Sequence, residues 1–319
     1  MSNRHPDMPV MPVVQRPQEI GEAYRMKQML GSSAVYTAGG TLLRTQWEAG
    51  TAAVPSHLID LSAIPMLVGF HLELGELVVG ACCPLSALRQ DARVQVAFPL
   101  LTEAIRNIAA PSVRNLATLG GNVVSRIGDS LPALLVGGAE LIWLGKSGLQ
   151  AESLEDWLAN EKGTEEDRLL IQIRLTRDAE IPLTGRDANQ SSMAERYAPA
   201  ASRPAVIRAY HKVGRREAFT PSVATLAVTG EWDAKNGQIN NLRIAAGGGQ
   251  TVPYRLERTE RMLEAHPEPL GEDCAAEVHR TVMEEFEPKG DGFASSSYRK
   301  MTVANLLVAE LWRLRERLG

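Results

Sequence analysis

The sequence predicts an α+β protein built in two units. Three observations carry that expectation. The first part of the chain alternates short β-rich runs with helical stretches and twice ends an apolar run on a glycine pair. A polar stretch from Arg177 to Pro204 then separates it from a segment in which three β-like runs precede three helical ones. At 319 residues the chain exceeds one average domain, so each unit is long enough to bury its own core.

Residues 1–17, rich in proline and methionine, read as an extended lead-in to a helix over Gln18 to Leu30. Ala34 to Thr37 is a β-rich run that stops on Gly39-Gly40, with a helix opening over Leu42 to Trp47. His57 to Leu61 reads as a second strand, and Leu72 to Gly80 as a hairpin around Gly75. Pro84 suits a helix start, where its missing N–H costs nothing. Apolar residues at 98, 101, 104, 105 and 108 give Phe98 to Ile108 one buried helical face. The chain then leaves the helix for a second pair, Gly120-Gly121, before Asp129-Ser130-Leu131-Pro132 and a helix from Ala133. Ala139 to Leu144 and Leu169 to Leu175 are the strands that close this unit.

Beyond the connection, Ala205 to Val213, Val223 to Trp232 and Ile239 to Ala246 are β-like, the last two joined through the turn-forming Asn236-Gly237. Helices follow at about Leu256 to Ala265, Asp273 to Phe286 and Met301 to Leu318. This predicts a small antiparallel sheet with its helices on one side.

Composition removes several classes of function. A formal charge of −4 disfavours a phosphate backbone as partner, so nucleic-acid binding is not expected. Cys82, Cys83 and Cys274 are too few to ligate an iron–sulfur cluster or to build a disulfide scaffold. The six histidines include no i,i+4 pair, so no metal site is predicted. The N-terminal residues lack a signal-peptide core, and Leu131 to Leu144 is broken by Gly137, Gly138 and Glu140, so no membrane span is predicted and the cytoplasm is the expected location.

Familiar templates fail on spacing. Gly145-Lys146-Ser147 lacks the upstream glycine of a P-loop and reads as a hairpin turn. Neither glycine pair extends to Gly-x-Gly-x-x-Gly, so a Rossmann site has no support. Gly128-Asp129-Ser130-Leu131 spells a serine-esterase tetrapeptide, yet no histidine has the required aspartate three residues upstream. What remains is the two corners, Ala38-Gly39-Gly40-Thr41 and Thr118-Leu119-Gly120-Gly121-Asn122. Glycine lets the backbone approach an anion and expose successive N–H groups, so the two together would hold a diphosphate from both sides; each alone reads equally as a tight turn.

In order and separation the two corners resemble the FAD-binding medium subunit of the molybdenum hydroxylases, the xanthine dehydrogenase and carbon monoxide dehydrogenase family, with the xanthine dehydrogenase type closest. The resemblance runs through Thr37-Ala38-Gly39-Gly40-Thr41-Leu42-Leu43, Val113-Arg114-Asn115-Leu116-Ala117-Thr118-Leu119-Gly120-Gly121-Asn122 and Asp129-Ser130-Leu131-Pro132. It extends to Tyr210-His211-Lys212-Val213-Gly214-Arg215-Arg216-Glu217, Ala246-Gly247-Gly248-Gly249 and Ser297-Tyr298-Arg299-Lys300. Two features depart from the family: the stretch from Asn122 to Asp129 is shorter than usual, and Ala218-Phe219-Thr220 stands where an acidic pair is usual.

The resemblance implies a two-part FAD-binding domain of the vanillyl-alcohol-oxidase type over residues 1–180, divided at about 62/63. It further implies a connection over 181–204 and a smaller α+β domain over 205–319. By the same resemblance Thr37, Ala38, Gly39, Gly40, Thr41 and Leu42, with Thr118, Leu119, Gly120, Gly121 and Asn122, hold the FAD diphosphate. Asp129 and Leu170 lie toward the flavin, and Lys212 approaches from the second domain. From the residues alone, Asp129 reads equally as a cap for the helix after it, and Lys212 as a solvated charge. The family implies a small iron–sulfur partner, a large molybdenum-cofactor partner and NAD as electron acceptor, with no catalytic acid or base on this chain. The alternative is a stand-alone flavoprotein oxidoreductase on the same fold.

Overall fold

The computed structural model describes residues 11–160, 167–177, 205–214 and 222–318. The expected connection over 181–204, together with Arg215, Arg216, Glu217 and Ala218-Phe219-Thr220, lies outside the described residues.

The chain begins with β1 (Val13–Gln15), α1 (Ile20–Leu30), β2 (Ala34–Thr37), α2 (Thr41–Glu48) and β3 (His57–Asp60). The three strands form a parallel sheet in the order β1-β3-β2, so the proline-rich lead-in supplies an edge strand. Proline and short length hid it, since a three-residue strand leaves almost no alternation to read. Lys27 at the end of α1 is buried and donates to the carbonyls of Gly31 at 2.8 Å and Ala34 at 3.0 Å, which turns the chain from helix into β2.

The second layer comprises α3 (Pro65–Val68), β4 (Phe70–Glu73), β5 (Glu76–Gly80), α4 (Leu85–Gln90), α5 (Ala92–Ala97), α6 (Pro99–Arg106), α7 (Pro111–Arg114), α8 (Leu119–Val124) and α9 (Leu131–Val136). It ends with β6 (Glu140–Gly145), β7 (Gly148–Ser153), α10 (Leu154–Ala159) and β8 (Leu169–Thr176). Its five strands are antiparallel in the order β4-β5-β8-β6-β7. The β4-β5 hairpin turns through Leu74 and Gly75, both at positive φ, and Gly145-Lys146-Ser147 lies in the β6-β7 hairpin as its spacing predicted. Strand β8 carries a bulge: Ile142 faces Gln172 and Trp143 faces Leu170, skipping Ile171. The extra residue changes the side-chain phase. Leu169 and Ile171 therefore pack with the first sheet, whereas Leu170, Ile173 and Leu175 pack under the helices.

The last unit holds β9 (Ala205–Gly214), β10 (Ser222–Asp233), β11 (Gln238–Gly248), β12 (Thr251–Arg255), α11 (Glu257–Ala265), α12 (Glu272–Glu285) and α13 (Ser296–Leu318). The sheet is antiparallel, ordered β12-β11-β10-β9. Its own helices lie on one face, as expected. The opposite face is also buried: Tyr210, Ala227 and Ala245 join the core of the preceding layer, and α9 packs on β10, β11 and β12. Burial on both faces explains why Ser222 to Gly230 is buried without alternation.

The glycine-rich Ala246 to Gly249 is a packing feature. Arg299 of α13 is buried beneath it, donates to the Val223 carbonyl and pairs with Asp291 at 2.5 Å. Gly249 has φ +61, and a Cβ there would overlap the Arg299 guanidinium. No helix among the described residues is long and apolar enough to cross a membrane.

Candidate functional site

The first corner follows from β2 ending at Thr37. Ala38 and Gly39 lead into Gly40, whose φ of 62° and ψ of 5° turn the chain left-handed directly into α2. No side chain caps this helix. Among the described residues, the main-chain N–H groups of Gly39, Gly40, Thr41, Leu42 and Leu43 have no protein acceptor. Free donors converging at a helix start form a seat for an anion. Leu42 is exposed beside it, and α2 buries no residue at all.

The second corner is built differently. Gly120-Gly121 was expected to break the helix, yet both residues lie in the first turn of α8. Thr118 caps that turn, its Oγ1 accepting from the Gly121 N–H at 3.0 Å. The Leu119 N–H donates to the Cys83 carbonyl at 3.1 Å, that of Gly120 to Ala81 at 2.9 Å, and that of Asn122 to Thr118 at 3.0 Å. These donors make hydrogen bonds inside the protein, unlike those of the first corner. Glycine is needed here for approach: a Cβ on Gly120 would sit 2.8 Å from the Ala81 Cα.

The two corners meet. A Cβ on Gly39 would overlap the Leu116 carbonyl and lie 3.1 Å from the Ala117 nitrogen, immediately before Thr118. The second corner thus forms the floor on which the first is seated. Leu116 and Val124 are exposed beside it, apolar positions that nothing in their spacing distinguished.

After α8 the chain folds back at once. Asn122 Oδ1 accepts from the Ser130 N–H at 3.1 Å and from its hydroxyl at 2.5 Å, and Gly128 packs over the Asn122 side chain. Ser130 is fully buried and its hydroxyl is given to Asn122, so the esterase-like tetrapeptide presents no exposed nucleophile. Asp129 does not cap α9, which carries no side-chain cap. Its carboxylate instead pairs with Lys212 of β9 at 2.7 Å, and its main-chain carbonyl accepts from the Tyr210 hydroxyl at 2.8 Å. Lys212 also donates to the Asn107 carbonyl at 2.8 Å, so it is an anchored, largely buried cation.

Burial, then the nearby Asp129 and Glu103 carboxylates, push the Tyr210 phenol far above its ordinary range and keep it a donor. Leu170 lies in the core of the second layer opposite Trp143 on β6. Thr37 ends β2 directly before the first corner, of which Ala38 and Thr41 are the outer residues. Sequence reasoning missed Tyr210, Asn107 and Ser130; Tyr210 was within reach, because it stands two residues before Lys212 on a strand and shares its face. Burial raises the thiols of Cys82 and Cys83 to about 12, so both stay protonated near neutral pH.

A family model described as the FAD binding domain in molybdopterin dehydrogenase matches residues 9–177. A second, the CO dehydrogenase flavoprotein C-terminal domain, matches residues 208–313. The chain belongs to the FAD subunits of the molybdenum hydroxylases. Among relatives of this FAD subunit, the carbon monoxide dehydrogenase medium chain of Hydrogenophaga pseudoflava is 34% identical over 163 residues, 50% of this chain and 56% of that one. The carbon monoxide dehydrogenase medium chain of Afipia carboxidovorans is 26% identical over 276 residues, 84% of this chain and 91% of the relative. A xanthine dehydrogenase FAD-binding subunit of Escherichia coli O157:H7 is 23% identical over 248 residues, 76% of each chain.

In fold, the FAD subunit superposes on a chain of the carbon monoxide dehydrogenase from Oligotropha carboxidovorans with a TM-score of 0.79 at 24% identity, covering 97% of this chain and 99% of that one. It is an oxidoreductase subunit, and its cofactor is FAD. The residues present fit that cofactor: an uncapped helix start with free N–H groups suits a diphosphate, and an anchored lysine–aspartate pair stands beside the second corner.

Proposed function

We propose that this subunit is the flavin station of a three-chain molybdenum hydroxylase of the xanthine dehydrogenase type. It takes electrons from iron–sulfur clusters on a small partner and delivers them to NAD, while a large molybdenum-cofactor partner oxidises the substrate. The observation that carries the reading is the meeting of the corners, which places free N–H donors over a rigid floor in a chain with no thiolate set for a cluster. FAD, when bound, supplies the chemistry by which electrons arriving singly leave as a hydride. The chain's residues bind and orient it. Gly39 to Leu43 would hold the diphosphate through main-chain donors. The Thr118-Leu119-Gly120-Gly121-Asn122 turn supports them from below, and Asp129 with Lys212 sets the charge beside the flavin.

In this reading residues 1–180 form the FAD domain in two parts, 1–62 and 63–180, residues 181–204 are a connection, residues 205–319 form the second domain, and the assembly works in the cytoplasm. Purification from the native host tests it. A yellow complex containing a cysteine-rich small chain and a large molybdenum chain, reducing NAD with a purine substrate, is the expected result. Turnover of a small substrate by the isolated chain would favour the stand-alone flavoprotein. A complex that oxidises carbon monoxide and ignores NAD would overturn the xanthine dehydrogenase assignment while leaving the flavin role intact.

A further inference from the structure

Strand β9 grips one residue of the first unit at two atoms. Tyr210 holds the main-chain carbonyl of Asp129 at 2.8 Å, and Lys212, on the same face, holds the carboxylate at 2.7 Å. The segment they hold is short and closes on the second corner, because Ser130 is bonded back to Asn122. Midway along it Arg126 sits at φ 60°, a left-handed conformation that persists in a non-glycine residue only when its surroundings impose it. Those surroundings are the carbonyls of Trp157 at 3.1 Å and Leu158 at 2.6 Å, with the guanidinium 4.7 Å from the Trp157 ring centroid.

An ion pair alone fixes the Asp129 side chain and leaves its backbone free to shift. The phenol fixes the backbone itself, and its buried, strongly protonated state makes it a donor throughout the neutral range.

We propose that Tyr210 is a positioning residue for the flavin nucleotide, holding the Asn122–Ser130 segment against the second corner so that docking of the second unit completes the site. The inference rests on FAD being bound at the corners. It makes flavin affinity a property of both units, although Tyr210 belongs to the second alone.

The test is a flavin titration of the full-length chain, with flavin circular dichroism and main-chain hydrogen exchange measured on the same samples. Tyr210→Phe is expected to weaken FAD binding about tenfold, the effect of one buried hydrogen bond. It should also change the flavin dichroism and speed exchange across residues 123–130. Tyr254→Phe is the control: its hydroxyl donates to the Glu285 carbonyl at 3.1 Å and accepts from the Glu287 N–H at 2.6 Å, remote from the corners. It should lower Tm with flavin affinity unchanged. In an Asp129→Asn background, which keeps the main-chain carbonyl that Tyr210 holds, Tyr210→Phe should still weaken FAD binding.

A Tyr210→Phe protein matching wild type in affinity and dichroism, or shifting no more than Tyr254→Phe, overturns the inference. A wild-type chain that takes up no FAD defeats the flavin reading itself, an outcome visible before any variant is compared.

Discussion

The two glycine corners share a dipeptide and do opposite work. At Gly39-Gly40 the main-chain donors are left open and the helix that follows buries no residue fully. At Gly120-Gly121 every donor from Leu119 to Asn122 is used internally, and glycine is there to let α8 settle against Ala81. A glycine pair in a sequence therefore does not say whether it binds or packs. The threonine before the second pair, which caps its own helix, and the residues at the end of β5 decide it. The Ala246 to Gly249 stretch is a third instance and falls on the packing side, over Arg299.

The largest effect should come from Gly39→Ala, whose Cβ would overlap the Leu116 carbonyl, backbone that cannot step aside. Separating the corners should lower FAD affinity by about a hundredfold or more, roughly 3 kcal/mol, in a flavin fluorescence titration. Asp291→Asn comes next, because it strips the partner from the buried Arg299 and should cost about 3 kcal/mol in urea unfolding. The same pair gives a pH dependence. Main-chain N–H bonds from Phe293 and Ala294, together with Arg299, hold the Asp291 carboxyl below its ordinary value, so its contribution is present above the unfolded carboxylate value of about 3.9 and is lost as pH falls through the lower folded one. The variant should lose less stability than wild type on acidification.

Gly120→Ala should destabilise the flavin-free protein by about 2 kcal/mol, visible as a lower Tm, while the folded fraction binds FAD within about threefold of wild type. Equal losses of affinity at Gly39 and Gly120 would break the comparison. The smallest effects belong to Gly40→Ala and Thr118→Val. The first asks alanine to adopt φ 62° and should cost about 1 kcal/mol while keeping its N–H; the second removes a helix cap and should cost a similar amount in stability alone.

Much of this was legible along the chain. Periodicity placed α6, the helical readings of α1 and the three C-terminal helices fell within a few residues of the observed ones, and Gly75 and Asn236-Gly237 marked their hairpins. The misses have physical causes. Helix α8 was hidden because two glycines in a first turn cost roughly 1 kcal/mol each by propensity, a cost its Thr118 cap and close packing outweigh. Strand β12 was hidden by Pro253, tolerated because β12 is an edge strand. Asp129 has the right residue type and position for a cap, but a lysine 83 residues away, invisible to local reasoning, claims its carboxylate. The buried second face of the C-terminal sheet likewise depends on a neighbour that no strand pattern names.

Amide-resolved hydrogen exchange with and without FAD tests the division of labour between the corners most directly. The amides of Gly39 to Leu43 should exchange freely in the flavin-free chain and become strongly protected when FAD is added, while those of Leu119 to Asn122 are protected from the start and change little. Protection gained at the second corner, or already present at the first before flavin is added, would contradict the account.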